Sequence, residues 1–223
     1  MRLVGFLLGR EEDLKHVGLN ARLLTSSLAL GIFLLFHASS LSLLGTRLFC
    51  SSSTVSERVI LFIEVKQSLL LYMWLITAVS WAISSTAVGI LVIRKVSMRL
   101  RKFHSLMGMC SLTLALPSAL TAMVLGLSPG RVIDCEGSSW KELLIRVFSE
   151  IMSYLASFPP VISVLVTLGS LVWFTYLAFR IYRVTLGLPR REALRYSLGF
   201  TGIFVGLIFL ISLLSALLIV LLP

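Results

Sequence analysis

Residues 67–93 read QSLLLYMWLITAVSWAISSTAVGILVI, an unbroken run of 27 positions without Asp, Glu, Lys or Arg. About 20 apolar residues are enough for a helix to cross the hydrocarbon layer of a bilayer, whereas a buried strand uses roughly 4–8. The run therefore predicts a transmembrane helix.

Four more runs of this kind, each of 24 to 29 uncharged residues, occupy much of the remaining chain; they are Leu23 to Thr46, Phe103 to Gly130, Ile151 to Phe179 and Tyr196 to Pro223. Each run is long enough for one crossing and too short for two. A membrane β-barrel would instead show alternating segments of about 10 residues. Helices also satisfy their backbone hydrogen bonds internally, as lipid requires.

We therefore expect an all-α polytopic membrane protein in which residues 1–223 form a single membrane domain. The composition agrees, because only 13% of the residues are charged and the mean hydropathy is +0.99, whereas soluble domains carry about 25% charged residues. An integral, multi-pass location follows, in the cell membrane if the source is prokaryotic. The expected spans cover residues 23–46, 67–93, 103–128, 160–182 and 196–221.

The basic residues predict how the chain is oriented. Fourteen of the twenty Lys and Arg residues lie in the N-terminal segment and in the second and fourth connections between spans. The positive-inside rule places these segments in the cytoplasm, so the N-terminus is inside and the C-terminus outside. We call this basic side the inner side. With four acidic residues it carries a net charge of +10, whereas six basic and six acidic residues leave the outer side neutral.

Two segments between the spans are predicted to be short interfacial helices, at residues 10–22 and 141–157. Residues 57–66 form a similar but weaker candidate. In the second helix the charges recur every four residues and make one stripe on an otherwise apolar surface; they are Glu142, Arg146 and Glu150.

Prolines predict where helices end or bend. Pro159 and Pro160 remove two consecutive backbone donors, so they should end the helix before them and suit the first turn of the fourth span. Pro117 lies in the middle of the third span and predicts a kink there.

Small residues at a spacing of four permit close approach of membrane helices. Such pairs occur at Ser85 and Gly89 in the second span and at Gly202 and Gly206 in the fifth. We expect them to pack helices within the bundle, with a contact between two copies of the chain as the alternative.

The inventory of reactive residues argues against an enzyme. Histidine occurs only at positions 16, 37 and 104, which cannot supply a haem pair or a zinc motif on one helix face. The sequence also lacks a Gly-rich phosphate loop and a GxSxG nucleophile motif. We expect no catalytic residues, no cofactor and no metal.

His37 is a candidate intramembrane polar site, because ionisable residues inside spans are often functional. A proton relay would need an acidic partner, and the first span has none. We favour a neutral, hydrogen-bonded structural histidine.

Cys50 and Cys135 both lie in connections assigned to the outer side, so an oxidising compartment would allow a disulfide between them. The alternative is two free thiols that never meet. Cys110 lies within the third span, where it should pack as a small apolar group.

Basic residues next to the inner ends of the spans are candidates for contact with anionic lipid head groups. Two alternatives are that these residues bind an acidic protein partner or that they serve only to fix the topology. Nucleic-acid binding is not expected, because these short connections offer no reading element or stacking platform. The candidates are Arg94, Lys95, Arg99, Arg101, Lys102, Arg190 and Arg191.

Over residues 60–223 the chain resembles the Yip (Ypt-interacting protein) family of five-span membrane proteins. The matching features are the basic stretch Arg99 to Ser105, the mid-span Leu116-Pro117, Trp173 with the aromatic and basic stretch Tyr176 to Arg183, and the connection GLPRREA at residues 187–193. The resemblance implies an N-in, C-out bundle of five spans. In eukaryotic members it also implies links to small GTPases, vesicle traffic and membrane shaping.

Three functions agree with these features. The leading one is a non-enzymatic scaffold or membrane-organising protein, with the lipid bilayer, anionic head groups and a membrane-protein partner or second copy as its contacts. The second is a transporter or channel for a small uncharged solute, with a path lined by Ser, Thr and His37. The third is an accessory subunit of a larger membrane complex.

The topology predicts which thiols are reachable from outside. In intact, reduced cells that express the protein, a membrane-impermeant maleimide should label Cys50 and Cys135, since both lie in outer connections. Cys110 should be protected within its span and serves as the internal control. Protection of both outer cysteines would reverse the predicted orientation.

Overall fold

The computed structural model describes residues 2–20, 23–51, 57–96, 98–135 and 139–221. Within this part, five helical stretches are long and apolar enough to cross a membrane, which confirms the predicted all-α bundle. In chain order the elements are α1 (Arg2–Leu7), α2 (Glu11–Asn20), α3 (Leu23–Thr46), β1 (Leu48–Ser51), α4 (Glu57–Ile93), α5 (Leu100–Cys110), α6 (Leu112–Leu127), β2 (Arg131–Asp134), α7 (Trp140–Ala156), α8 (Val161–Val184) and α9 (Arg190–Leu221).

The five spans form a ring. Helix α3 contacts α6, α6 contacts α8, α8 contacts α9, α9 contacts α4, and α4 returns to α3. The third span consists of α5 and α6, and α5 also packs against α3 and α4. Each of the five ring helices therefore has two ring neighbours, and α5 adds a contact between the third and second spans.

The most extensive contact in the ring joins the first and third spans, α3 and α6. Alternate spans run in the same direction, so these two helices leave the membrane side by side on the outer side. The residues that follow them pair as a short parallel sheet, β1 with β2, in which Leu48 lies opposite Arg131 and Ser51 opposite Asp134. The sequence prediction did not include these strands.

Two apolar cores fill the ends of the bundle. The inner core is rich in aromatic side chains, among them Phe103 stacked on Tyr182 at 6.1 Å and Phe174 against Phe200 at 5.3 Å between ring centroids. The outer core joins the outer ends of α3, α4 and α6 to α7; its largest fully buried side chains include Tyr154, Ile151 and Leu143.

The N-terminal segment packs against the inner end of α8. Phe6 and Leu14 are fully buried in the inner core. Trp173 Nε1 donates to the Leu7 carbonyl at 3.0 Å, and Arg180 Nη2 donates to the Gly9 carbonyl at 3.1 Å. The segment predicted as an interfacial helix at 10–22 thus includes α2, while its last residues, 21 and 22, lie outside the described part.

The second span begins earlier than predicted. Residues 57–66 were expected as a separate, weaker interfacial helix, but α4 runs without interruption from Glu57 to Ile93. At 1.5 Å per residue this helix is about 55 Å long, well beyond the roughly 30 Å hydrocarbon layer. Phe62 and Val65 are buried in the outer core, so packing against α7 supports the extension.

The third span is interrupted at Ser111, between α5 and α6; the kink at Pro117 stays a prediction. Helix α6 continues through Pro117. At the interruption, Ser111 Oγ donates to the Gly108 carbonyl at 2.6 Å and Thr113 Oγ1 to the Cys110 carbonyl at 2.8 Å. Such hydroxyl bonds to the preceding turn compete with the helical ladder and favour a bend or break.

The segment predicted as an interfacial helix at 141–157 forms α7. It starts with a capping box, in which Ser139 Oγ accepts from the Glu142 N–H and the Glu142 carboxylate accepts from the Ser139 N–H at 2.9 Å. At its other end, the stretch with Pro159 and Pro160 separates α7 from α8, which begins at Val161.

Replacing the cap should loosen the start of α7. Ser139→Ala removes the acceptor for the Glu142 N–H, which costs about 1 kcal/mol at a helix N-terminus. Amide hydrogen exchange should therefore speed up over the first turn of α7. Ser153→Ala, an exposed change within the same helix, should leave that turn unchanged, and equal exchange in the two variants would contradict the cap.

The same turn should weaken in acid. The hydrogen bond from the Ser139 backbone N–H lowers the pKa of Glu142 from its ordinary value of 4.5. A depressed pKa in the folded state stabilises the turn above the unfolded pKa, and this contribution is lost as the pH falls through the folded value. Protection of the first turn should thus drop below about pH 4, and Glu142→Gln should remove this pH dependence.

Candidate functional site

The inner end of the bundle brings two basic connections together. Lys95 Nζ lies 3.4 Å from Glu192 Oε1, which joins the turn after α4 to the start of α9. Beneath this ion pair, Leu188 and Ala193 are buried in the inner core and Val96 packs against it. We use the name inner basic surface for the seven predicted lipid-contact residues at this end of the bundle, which are Arg94, Lys95, Arg99, Arg101, Lys102, Arg190 and Arg191.

Six of these seven side chains are exposed, and Lys102 is half-buried. Glu192 forms an ion pair with Lys95. An exposed pair of this kind contributes about 0–1 kcal/mol, so it leaves Lys95 largely able to attract an anion.

A groove of about 450 Å³ lies between the inner halves of α8 and α9 and reaches this surface. Arg190 lines it together with Tyr176 and Phe179 of α8 and Leu194 and Leu198 of α9. The groove therefore combines a cationic side chain at the N-terminus of α9 with apolar walls along two spans.

The connection between α8 and α9 sets this geometry. Gly187 has a positive φ of 67°, a backbone conformation that glycine adopts without strain and that commonly ends helices. The Leu188 N–H donates to the Tyr182 carbonyl at 3.1 Å, and its side chain enters the inner core. Pro189 then precedes Arg190, the first residue of α9.

A central cavity of about 390 Å³ lies between the two cores and is lined by residues from all five spans. Phe33 and Phe204 of the inner core close one end, and Leu44 and Leu125 of the outer core close the other. His37, the predicted intramembrane polar site, is part of the lining.

His37 is hydrogen-bonded and stacked. Its Nε2 lies 3.1 Å from Thr77 Oγ1 on α4, and its ring stacks on Phe33 at 6.0 Å between centroids. These contacts agree with the interpretation as a structural histidine, and no acidic group lines the cavity with it in the described part of the chain.

The small residues of the second span contact the third span. Ser85 Oγ lies 2.7 Å from His104 Nδ1. A Cβ atom on Gly89 would come within 2.9 Å of the Phe103 ring and 2.8 Å of Leu100. The pair thus permits a close approach of α4 and α5.

The expectation that Gly202 and Gly206 pack helices within the bundle is wrong. Both residues are exposed, and a Cβ atom at either position would meet nothing within 4 Å. The reason is that α9 turns this face away from its neighbours: its contacts run instead through Phe200, Phe204 and Thr201, whose Oγ1 lies 2.7 Å from Thr175 Oγ1 on α8.

The two outer cysteines are brought together. Cys50 in β1 and Cys135 directly after β2 form a disulfide, with 5.9 Å between their Cα atoms. Cys110 is free and fully buried in the inner core. The bridge closes the outer side of the contact between the first and third spans.

Some residues acquire roles that the sequence did not suggest. Arg47 donates through Nε to the Leu125 carbonyl at 3.1 Å and through Nη2 to the Gly126 carbonyl, so it caps the end of α6. The hydroxyls of Ser163, Thr167 and Ser170 line the cavity from one face of α8. Their spacing of four and three residues indicates that they share one face of the helix. In an apolar helix, however, the spacing does not predict what that face contacts.

Comparisons with known proteins leave the family open. No family model, no curated protein and no solved structure matches the chain. The contacts and charges of the chain itself therefore carry the functional argument.

The disulfide should be detectable in the intact protein. Non-reducing peptide mass spectrometry of protein from an oxidising compartment should recover a linked pair that contains Cys50 and Cys135. Cys50→Ala should abolish it and lower the stability by about 2–4 kcal/mol, because the bridge constrains the unfolded chain. Cys110→Ala should leave the bridge intact, and a bridge that includes Cys110 would contradict the structure.

Proposed function

We propose that this protein is a non-enzymatic, membrane-organising scaffold of Yip-like type that holds anionic lipid at its inner face. The observation that carries the proposal is the groove between α8 and α9, with Arg190 at its inner end and apolar walls along the spans. A lipid needs both features, a cation for its head group and an apolar path for its chain.

The electrostatics support an anion at this position. Arg190 and Arg191 are exposed side chains in the first turn of α9, where the partial positive charge of the helix N-terminus adds to theirs. Arg94 and Lys95 lie on the neighbouring connection, where Lys95 forms an ion pair with Glu192. Each basic residue near a membrane surface attracts anionic lipid by about 1 kcal/mol.

The residues that carry the Yip resemblance have structural roles at the inner face, and these roles support the proposal of a scaffold. Gly187 turns the chain, while Leu188 and Ala193 are buried beneath the inner basic surface. In a prokaryotic source we propose the cell membrane as the location.

The transporter or channel alternative predicts a polar path through the bundle. The cavity that contains His37 has mainly apolar walls, and aromatic side chains of the inner core pack between it and the inner side. These features favour the scaffold. Solute flux in proteoliposomes that disappears in His37→Leu would favour the transporter, and recovery of a partner in fixed stoichiometry would favour an accessory subunit.

Lipid binding tests the proposal. In mild detergent, native mass spectrometry should show the wild type binding phosphatidylglycerol in preference to phosphatidylcholine. Arg190→Gln should weaken phosphatidylglycerol binding about fivefold, and the further change Arg191→Gln about fivefold again, which corresponds to about 1 kcal/mol for each residue.

Arg131→Gln is the matched control, because Arg131 is an exposed arginine at the outer end. It should leave the binding of both lipids unchanged. Equal affinity of the wild type for the two lipids, or an equal loss in the Arg131 variant, would refute the proposal.

A further inference from the structure

The central cavity has the chemistry of a ligand site. An engineered cavity of about 150 Å³ holds one benzene molecule, so 390 Å³ has room for roughly fifteen carbon-sized atoms at most. Its walls are mainly apolar, and none of the described residues that line it carries a charged side chain. A charged ligand would lose its hydration there without a counter-ion, at high cost in free energy. The occupant should therefore be uncharged and mainly apolar.

The hydroxyls on α8 face the cavity as acceptors. Ser163 Oγ donates to the Pro160 carbonyl, Thr167 Oγ1 to the Ser163 carbonyl and Ser170 Oγ to the Thr167 carbonyl, all at 2.6–2.8 Å. Each hydroxyl already donates its single hydrogen to a carbonyl of its own helix, so it can only accept a further hydrogen bond through its lone pairs.

Hydroxyls on the other walls behave in the same way. Ser40 donates to the His37 carbonyl at 2.8 Å, and Ser118 to the Leu114 carbonyl at 2.8 Å. The polar atoms of the cavity are therefore mostly acceptors, and a ligand that matches them must bring a donor.

His37 adds a further acceptor. Thr77 Oγ1 donates to the Met73 carbonyl at 3.0 Å, so it accepts the bond from His37 Nε2 at 3.1 Å. This network assigns the proton of the neutral ring to Nε2 and leaves Nδ1 with a free lone pair.

Thr121 supplies the complementary donor. It lines the cavity from α6, and its Oγ1 is buried without a hydrogen-bond partner. Leaving such a group unpaired costs about 1–3 kcal/mol. A ligand that accepts from Thr121 would recover this cost.

The cavity opens sideways toward the membrane. Val164 and Leu168 of α8 and Val205 of α9 line it and are also exposed, by 38%, 55% and 42% respectively. The inner halves of α8 and α9 are joined by Phe174 with Phe200, but the outer halves leave this gap. An apolar molecule dissolved in the bilayer would thus reach the cavity without crossing water.

We propose that the central cavity binds an uncharged, apolar alcohol of up to about ten carbons, which enters from the membrane between α8 and α9. A hydroxyl group matches both properties of the wall, because it donates to a lone pair and accepts from Thr121. The site is distinct from the inner basic surface, so it stands independently of the proposed lipid scaffold.

The experiment uses 1-decanol, decane and decanoate as probes on the purified full-length protein in mild detergent. A photoactivatable decanol should label residues of α3, α6 and α8 with saturation at one molecule per chain. Unlabelled decanol should compete, and decane and decanoate should compete at least severalfold more weakly.

Two pairs of variants test the geometry. Thr121→Val should weaken decanol competition about three- to tenfold, the range of one net hydrogen bond, without changing that of decane. It should also leave the melting temperature of the unliganded protein equal or higher, because an unpaired hydroxyl is removed. Thr86→Val, on an exposed face of α4, should alter neither result.

Leu168→Trp should narrow the opening and reduce labelling, whereas Leu165→Trp, on the exposed face of α8 outside the cavity lining, should not. Labelling spread over exposed faces would overturn the site. Equal competition by decane and decanol, as expected for a lipid chain that merely fills the space, would overturn the recognition of a hydroxyl group.

Discussion

The packing of the first span against the third is the contact on which the rest of the structure depends. Gly108 shows how close it is: a Cβ atom there would lie 2.9 Å from the Ser26 carbonyl oxygen on α3. Because the two spans run in the same direction, their outer ends emerge together, the following residues pair as β1 and β2, and Cys50 meets Cys135. The disulfide links the first and third spans at their outer ends, and close packing links them within the membrane.

The remaining spans complete a ring with that pair, and the ring is filled unevenly. Aromatic residues pack its inner end, and α7 with the extended start of α4 covers its outer end. Between them the cavity persists, since lipid chains are as apolar as the walls and little hydrophobic force drives the helices to collapse. Most of its hydroxyls are satisfied within their own helices, so they do not need a partner across the gap.

Charge is distributed unevenly between the inner and outer sides of the molecule. The inner side carries the net charge of +10, and the contact between Lys95 and Glu192 gathers two of its basic connections into one surface. On the outer side, part of the basic charge is used structurally: Arg47 caps α6, and Arg146 bonds to the Asp134 carbonyl at 3.1 Å. The proposed anion binding thus belongs to the inner side, while the apolar cavity belongs to the middle of the bundle.

The sequence by itself determined the number of spans and the segregation of charge, because lipid excludes charged residues from the spans. It did not determine which helices are neighbours. In α3 and α4 apolar residues surround the whole helix, so no stripe marks the face that turns inward. The exposed Gly202 and Gly206, the groove at Arg190 and the unpaired Thr121 hydroxyl were decided only by the tertiary structure, since each depends on contacts between residues far apart in the chain or on how the spans are arranged around the ring.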